Sequence, residues 1–274
     1  MIIQNITLSI IKTLCPLRRS MRFKHQRNVA HLLPFIMLIF ALVNCSGQSG
    51  FEQAQKLVPD NGGEEDRFGL SLDISDNRAI IGAPGTDSPY ENSGAVYFYE
   101  FDADSGWTIS EMLAPSGEDM SFGADVSLSG DRALIGVPLS SLMNNRTPSA
   151  RIYERQNDGS WTQTAEIPTP EDTFSSNFAT SVSLDGDVAF ITSPLQWVPE
   201  TDGNPGVVYV FERQDNGEWQ LVTRLMASDP DHDDRFGSDV DVSGDRAIIG
   251  ARNDDEMGED AGAAYIFERR QDGS

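Results

Sequence analysis

The chain has 274 residues, with 43 acidic and 20 basic side chains, and a formal charge of −23 at neutral pH. This balance argues against a nucleic-acid partner, because phosphate binding requires clustered lysine and arginine side chains. Residues 1–45 carry six basic groups and no acid, so the rest of the chain is more acidic still. Its single lysine is Lys56, a composition that also suits a protein from a saline habitat, so the acidity by itself does not identify a ligand.

The N-terminal 45 residues have the plan of an export signal. Twelve apolar residues, Leu32 to Val43, follow a basic stretch that begins at Met21, which suits a start codon better than Met1. The apolar run is shorter than the ~20 residues of a membrane-spanning helix, whereas basic residues before a short apolar run are typical of a secretory signal peptide. The sequence therefore predicts an exported protein.

The end of this segment, LVNC, resembles the lipobox of bacterial lipoproteins, and the resemblance implies lipidation of Cys45. Asn44 departs from the small residue of that motif, so ordinary cleavage and free secretion is the alternative. We predict a targeting segment over 1–45, a tether over 46–50 and a folded domain over 51–274. The membrane is then reached only through an N-terminal lipid anchor at the cell envelope.

A unit of 54 to 58 residues occurs four times after the tether. Each copy opens with a phenylalanine and a small residue, and a closing triplet begins 14 residues after that phenylalanine. The opening pairs are Phe68-Gly69, Phe122-Gly123, Phe178-Ala179 and Phe236-Gly237, and the triplets begin at Gly82, Gly136, Thr192 and Gly250. A constant length between variable connections indicates a rigid hairpin, with its two-residue turns at Asp76-Asn77, Gly130-Asp131, Gly186-Asp187 and Gly244-Asp245.

The residues of each unit predict four strands. Apolar and polar residues alternate from the opening phenylalanine, and the returning strand is apolar on both faces, which predicts burial on both. A third strand is rich in aromatic and β-branched residues, and a fourth begins at an aromatic residue: Trp107, Trp161 or Trp219. We therefore predict an all-β fold, a β-propeller of four-stranded antiparallel blades with four repeats visible.

The FG pair followed at a fixed distance by GAP (82–84) resembles the FG-GAP repeat, the blade of the integrin α-subunit β-propeller, in its bacterial form. Copy three departs from the pattern with FA and TSP, and copy four has Arg252 in place of the proline. The resemblance implies a partner-binding surface on one end of the propeller. It also implies calcium loops between FG and GAP in integrins, but here only a two-residue turn stands there, so that calcium site is absent.

The sequence leaves the number of blades open, because the chain ends where another tryptophan strand would begin. Phe51 occupies the tryptophan position of the segment FEQAQKLV, which favours closure of a four-bladed ring by this segment. The alternative is that the four units belong to a longer propeller.

Little in the folded domain suits catalysis, so we expect no enzyme activity. Its single histidine, His232, lies among acids, and no phosphate-binding glycine loop or HExxH zinc motif is present. Asp229, Asp231 and Asp233 have the opening spacing of a calcium loop but lack its glycine and distal glutamate. Ca²⁺ at these three residues is the only cofactor that the sequence suggests.

Strand parity places two sets of long loops at one end of the blades. The entry loops precede the opening phenylalanines (59–67, 115–121, 168–177 and 228–235), and the middle loops follow the closing triplets (84–93, 138–149, 194–205 and 252–261). Together they hold 21 of the 43 acids. Long, variable loops on a rigid scaffold commonly bind ligands.

We call this end the long-loop face and predict that it binds a protein or polysaccharide. The candidate ligand-binding residues are Trp197, Asp254, Asp255 and Glu256. The function predicted is a binding or adhesion module at the cell envelope. A carbohydrate-active enzyme that uses loop carboxylates and a purely structural repeat are the alternatives.

Overall fold

The computed structural model describes residues 51–87, 89–115, 121–138, 148–170, 177–199, 201 and 203–270. The chain divides into two units, Met1–Gln53 and Ala54–Ser274, and every strand described lies in the second. Cys45, Cys15 and the apolar run 32–43 lie outside the described residues. None of the described residues forms a helix long and apolar enough to cross a membrane.

Fifteen β-strands form the described fold, and all of their pairings are antiparallel. They are β1 (Leu72–Ser75), β2 (Arg78–Ala83), β3 (Ala95–Asp102), β4 (Gly106–Leu113), β5 (Val126–Ser129), β6 (Arg132–Val137), β7 (Ser149–Arg155), β8 (Trp161–Pro168), β9 (Val182–Asp185), β10 (Val188–Ser193), β11 (Val207–Arg213), β12 (Trp219–Leu225), β13 (Phe236–Ser243), β14 (Arg246–Ala251) and β15 (Ala263–Glu268).

Consecutive strands pair into four sheets, one for each repeat. The first three sheets have four strands each, and the fourth has β13, β14 and β15 within the described residues. The first strand of each sheet packs on the first strand of the next, in the order β1, β5, β9, β13. This confirms the prediction of an all-β fold built from propeller blades.

The opening FG pairs lie outside the strands in three of the repeats, which differs from the predicted alternation. β1, β5 and β9 begin four residues after the phenylalanine, and only β13 includes it. The second residue of the pair has positive φ in every repeat: Gly69 (88°), Gly123 (82°), Ala179 (63°) and Gly237 (87°). This conformation favours glycine and bends the chain out of the strand geometry, so the pair forms a corner before the strand.

The hairpin turns have the predicted conformation. The first loop residue has positive φ in all four hairpins: Asp76 (53°), Gly130 (60°), Gly186 (58°) and Gly244 (59°). Since glycine and aspartate tolerate this region better than bulkier residues, the turn sequence accounts for the constant hairpin length.

Apolar clusters between neighbouring sheets form the core. We call the side of a sheet that meets the preceding sheet its front face and the other side its back face. In the first junction the back-face residues Ile80 and Phe98 pack with the front-face residues Val126 and Leu128, beside Trp161. In the next two junctions, residues at equivalent positions form the corresponding apolar clusters, and the third cluster has no outer-strand tryptophan. Each sheet is therefore stabilised by its neighbour rather than by its own two faces.

The predicted burial of the returning strand is confirmed in three sheets and fails in the fourth. In β2, β6 and β10 every residue after the first is buried, whereas β14 alternates between buried and more exposed residues. No fifth sheet covers the back face of β14 among the described residues, so its back-face side chains meet solvent.

Closure of the ring by the N-terminal segment is not seen. Residues 51–59 form no strand in the structure, and the open edge of β15 has no partner among the described residues. Gln55 instead lies on the first sheet, where its side-chain amide donates to the carbonyl of Trp107 (2.8 Å) and accepts from the N–H of that residue (3.0 Å).

Candidate functional site

The entry and middle loops lie together at one end of the sheets, as strand parity predicts. Backbone hydrogen bonds join the entry loop of a sheet to its own middle loop, from Gly85 N–H to Asp66 O and from Asn253 N–H to Asp234 O, each 3.1 Å long. A further bond joins neighbouring sheets, from Phe122 N–H to Ser93 O at 3.0 Å. Backbone hydrogen bonds therefore connect the described loops of the long-loop face, of which 88, 116–120, 139–147, 171–176, 200 and 202 lie outside the described residues.

The entry loops of the first and fourth sheets share a local hydrogen-bonding pattern. A carboxylate near the end of each loop accepts a backbone N–H three residues earlier, from Gly63 to Asp66 (2.6 Å) and from Asp231 to Asp234 (2.7 Å). Both acceptors are buried. Burial raises the pKa of Asp234, and the nearby carboxylate of Asp254 adds to the rise. These acids organise the loop rather than face a ligand.

The structure gives the three predicted calcium ligands separate local partners. Asp229 accepts from the Tyr265 hydroxyl (3.0 Å), and Asp231 accepts from the N–H of His232 (2.7 Å). Asp233 lies 3.1 Å from Nδ1 of the same histidine. No group of three metal-ligating side chains occurs in the part of the chain that the structure describes. Each of the three carboxylates thus has a contact of its own in the structure, and calcium binding by the three together stays a prediction.

The three predicted acids of the fourth middle loop have different roles. Asp254 is buried and accepts from the Tyr265 hydroxyl at 2.7 Å and from the N–H of Glu256 at 3.1 Å. Burial and this bond raise the pKa of Tyr265. Asp255 holds the loop through the N–H of Asp260 (2.6 Å). The side chain of Glu256 is exposed. Of the three, Glu256 is free to meet a ligand.

Trp197 lies in the third middle loop, and half of its surface (52%) is exposed. Its neighbour Val198 donates to Gly203 O (2.9 Å), which closes a small hairpin. His232 of the next entry loop packs against Gly203, since a Cβ at this glycine would lie 2.8 Å from its Cδ2. An exposed indole therefore stands on the loop that adjoins the acidic segment 229–233.

Sequence reasoning missed a set of polar side chains that link the innermost strands. The Asp125 carboxylate accepts from Val182 N–H of the next sheet (2.7 Å), and Asp73 accepts from Leu128 N–H (2.7 Å). The Ser181 hydroxyl in turn donates to Asp239 (3.1 Å). The signal was a polar residue at alternate positions of the first strand in every repeat. The alternation predicts a strand but does not indicate what its polar side chains contact.

Asp125 is chemically distinct within this set. Burial raises its pKa from an ordinary value of 3.8 to about 6, and the charge of Asp239 contributes in the same direction. Hydrogen bonds from Val182 and Ser181 oppose the rise. A carboxyl group with this pKa can hold or release a proton near neutral pH.

The FG-GAP repeat family matches two stretches of the chain, residues 51–99 and 219–267. A comparison with curated protein sequences finds no match. A crystal structure of a protein from Lactobacillus plantarum is similar, with a TM-score of 0.47 and 16% identity over 74% of this chain and 52% of that one. The chain thus spans about half the length of that protein.

The two family matches coincide with equivalent parts of the structure. Each begins at an aromatic residue of the outer-strand position, Phe51 or Trp219, and ends in the third strand of a sheet, β3 or β15. The two stretches that match the family are thus equivalent parts of the unit that recurs in the sequence and in the sheets, which supports an FG-GAP repeat protein.

Proposed function

We propose that the protein is an exported, lipid-anchored binding module that holds a protein or polysaccharide ligand on its long-loop face at the cell envelope. The observation that carries the proposal is the exposed indole of Trp197 beside the acidic segment 229–233. Two hydrogen bonds join these loops, from Phe236 N–H to Pro205 O (2.6 Å) and from Nδ2 of Asn204 to the Asp233 carboxylate (3.5 Å). A rigid aromatic side chain ringed by polar groups is a common anchor of binding surfaces.

Charge supports the same proposal. Nine of the 21 loop acids belong to the fourth sheet, and Glu256 and Asp233 are exposed there. Carboxylates concentrated on one face attract a ligand that carries basic groups and raise its rate of association. We therefore expect the ligand to present cationic groups next to an apolar surface.

Two matched substitutions test the binding face. Trp197→Ala removes the anchor, and Phe101→Ala removes an equally exposed aromatic (46%) at the opposite end of a sheet. The probes are a panel of immobilised polysaccharides and basic proteins. For any probe that the wild type binds, we expect Trp197→Ala to weaken affinity about 30-fold, the equivalent of ~2 kcal/mol. Equal losses in the two variants, or no loss in either, would contradict the proposed site.

The anchor has a separate test. Intact mass spectrometry of the protein from a bacterial host should find a lipidated Cys45 at the N-terminus, and Cys45→Ser should release the protein from the membrane fraction. An unmodified N-terminus after cleavage would refute the anchoring and favour free secretion, and retained residues 21–44 would refute processing at Cys45 altogether. The binding experiment does not depend on this result.

A carbohydrate-active enzyme is the second candidate, and the raised pKa of Asp125 is the observation in its favour. General acid catalysis at a glycosidic bond needs a protonated carboxyl group of this kind, together with a second carboxylate. Hydrolysis of aryl glycosides by the wild type and its loss in Asp125→Asn would support this candidate. Binding without hydrolysis would support the module.

A further inference from the structure

The back face of the fourth sheet exposes an apolar pair that is buried in every other sheet. Four cross-strand pairs occupy the same position: Ile80 with Phe98, Leu134 with Ile152, Phe190 with Val210, and Ile248 with Ile266. The first three pairs are at most 8% exposed, whereas Ile248 is 47% and Ile266 is 70% exposed. The next sheet covers the buried pairs, so the exposed pair is an inter-sheet interface that lacks its partner.

The front face of the first sheet also exposes apolar residues that are buried in the other sheets. Leu72 and Ile74 of β1 are 67% and 61% exposed, while their equivalents in β5, Val126 and Leu128, are about 5% exposed. In the first junction these equivalents pack against Ile80 and Phe98 of the preceding sheet. The exposed front face of the first sheet therefore matches the kind of surface that would cover the exposed back face of the fourth sheet.

An arginine at the hairpin end of the sheets is likewise covered in inner sheets and exposed in the fourth. Arg78 and Arg132 reach the hairpin of the next sheet, at Asp131 (3.0 Å) and Asp187 (2.9 Å), and their side chains are 19% exposed. Arg246 is the equivalent residue of the fourth sheet. Its side chain is 74% exposed and pairs only with Glu268 of its own sheet in the described structure.

Strand pairing is incomplete at the same two ends. The fourth sheet lacks an outer strand beyond β15 in the described residues, and the segment 54–58 lies in the position of an outer strand beside the first sheet without forming a strand. This position is assigned from the hydrogen bond that Gln55 accepts from the N–H of Trp107 on β4. Glu111 on β4, the outer strand of the first sheet, accepts the equivalent bond from the N–H of Trp161 on β8 (2.7 Å). The segment beside the first sheet could therefore supply the outer strand that the fourth sheet lacks.

A cavity of about 420 Å³ marks the place of the missing outer-strand aromatic residue. It lies between the third and fourth sheets and is lined by Val188, Phe190, Val210, Val242, Ala247 and Phe267. In the first junction the equivalent space is filled by Trp161, which stacks on Phe98 with ring centroids 4.2 Å apart. Phe51 heads the outer-strand segment of this chain and is fully exposed.

We propose that two copies of the chain associate head to tail, with the front face of the first sheet of one copy on the back face of the fourth sheet of the other. The segment 51–58 of the incoming copy pairs with β15 and places its Phe51 in the cavity. The contact reproduces the three junctions that the chain already forms. It is heterologous, so it either closes a ring of copies or continues as a filament.

Two variants of opposite charge test the proposal on the full chain. Leu72 and Ile266 are exposed and should tolerate substitution, and their equivalents share one apolar cluster in each of the three junctions. We expect the wild type to sediment as a dimer or larger at micromolar concentration. Leu72→Lys and Ile266→Glu should each raise the dissociation constant at least tenfold, with unchanged circular dichroism.

An equimolar mixture of the two variants should regain association. One junction then joins two unaltered faces, and the other joins a lysine to a glutamate. Leu221→Glu is the control, because Leu221 is similarly exposed (49%) on β12 but lies on neither end face.

A wild type that is monomeric at all concentrations would overturn the proposal. Assembly that both variants retain would place the contact elsewhere, for instance at the apolar run 32–43, and would also overturn it. Failure of the mixture to recover association would overturn the head-to-tail pairing. None of these results bears on ligand binding at the long-loop face.

Discussion

Substitution of Gly82 by alanine tests how closely the sheets approach one another. Gly82 has no positive φ, so alanine meets no backbone strain there. A Cβ at this position would lie 2.1 Å from the carbonyl oxygen of Gly123 in the next sheet and 2.3 Å from Oγ of Ser71. Both atoms are held by a hydrogen bond between them of 3.0 Å. The contact cannot be relieved without moving the second sheet.

Opposing effects set the magnitude. Alanine in place of glycine in a strand normally gains about 0.5–1 kcal/mol, because the unfolded chain loses freedom. Overpacking of a filled junction costs about 1–3 kcal/mol, and loss of the Ser71 hydrogen bond costs about 1 kcal/mol more. We therefore expect Gly82→Ala to lower the free energy of unfolding by about 2–3 kcal/mol.

The chain contains its own control in Gly250, the equivalent glycine of the fourth sheet. A Cβ there would meet only Oγ of Ser238, at 3.2 Å, and that hydroxyl can rotate away. We expect Gly250→Ala to leave the free energy of unfolding unchanged or to raise it by up to about 1 kcal/mol. Urea unfolding followed by tryptophan fluorescence, at a concentration where the protein is monomeric, gives both values. Equal stability of the two variants would refute the close approach of the first two sheets.

Three further predictions concern the turn, the pH dependence and calcium. Gly244→Val should lose about 1–2 kcal/mol in urea unfolding, because valine disfavours φ near 59°, and Gly244→Asn should lose less; equal losses would contradict the turn assignment. The pKa of Asp125 is about 6 in the folded state and near 3.8 unfolded, so the folded state binds the proton more tightly. Its stabilising effect, at most about 3 kcal/mol, is present below pH 4 and is lost as pH rises to 6. Asp125→Asn should remove this part of the pH dependence, and an unchanged profile from pH 4 to 6 would contradict the shift. Calcium should raise the melting temperature no more than sodium chloride of equal ionic strength, whereas a calcium-specific rise that vanishes when the three aspartates of 229–233 become asparagine would reveal a metal site.

The local features of the repeat could be predicted from the sequence because they depend on residues close in the chain. The hairpin turns follow from Gly130, Gly186 and Gly244, and the outer strands from their leading tryptophans. The common end of the long loops follows from strand parity alone.

The candidate site was predicted less completely, because the use of a carboxylate depends on what lies next to it. Asp254 and Glu256 are two residues apart, yet one is buried under Tyr265 and the other is exposed. Asp125 looked like any polar strand residue, and its raised pKa arises from burial against the next sheet. Neither the burial of Asp254 nor the raised pKa of Asp125 could be predicted from neighbouring residues in the sequence.

One hexapeptide shows where the sequence stops and the tertiary structure decides. β2 and β14 have the same sequence, RAIIGA, and both form the second strand of a hairpin, so the sequence determined their conformation. In β2 the second sheet covers the back face, which buries Ile80 completely; in β14 the equivalent Ile248 is half exposed because no sheet of the described chain follows. Conformation followed from φ/ψ preference and pairing within the repeat, whereas burial, and with it the free energy contributed by each side chain, required a neighbouring sheet.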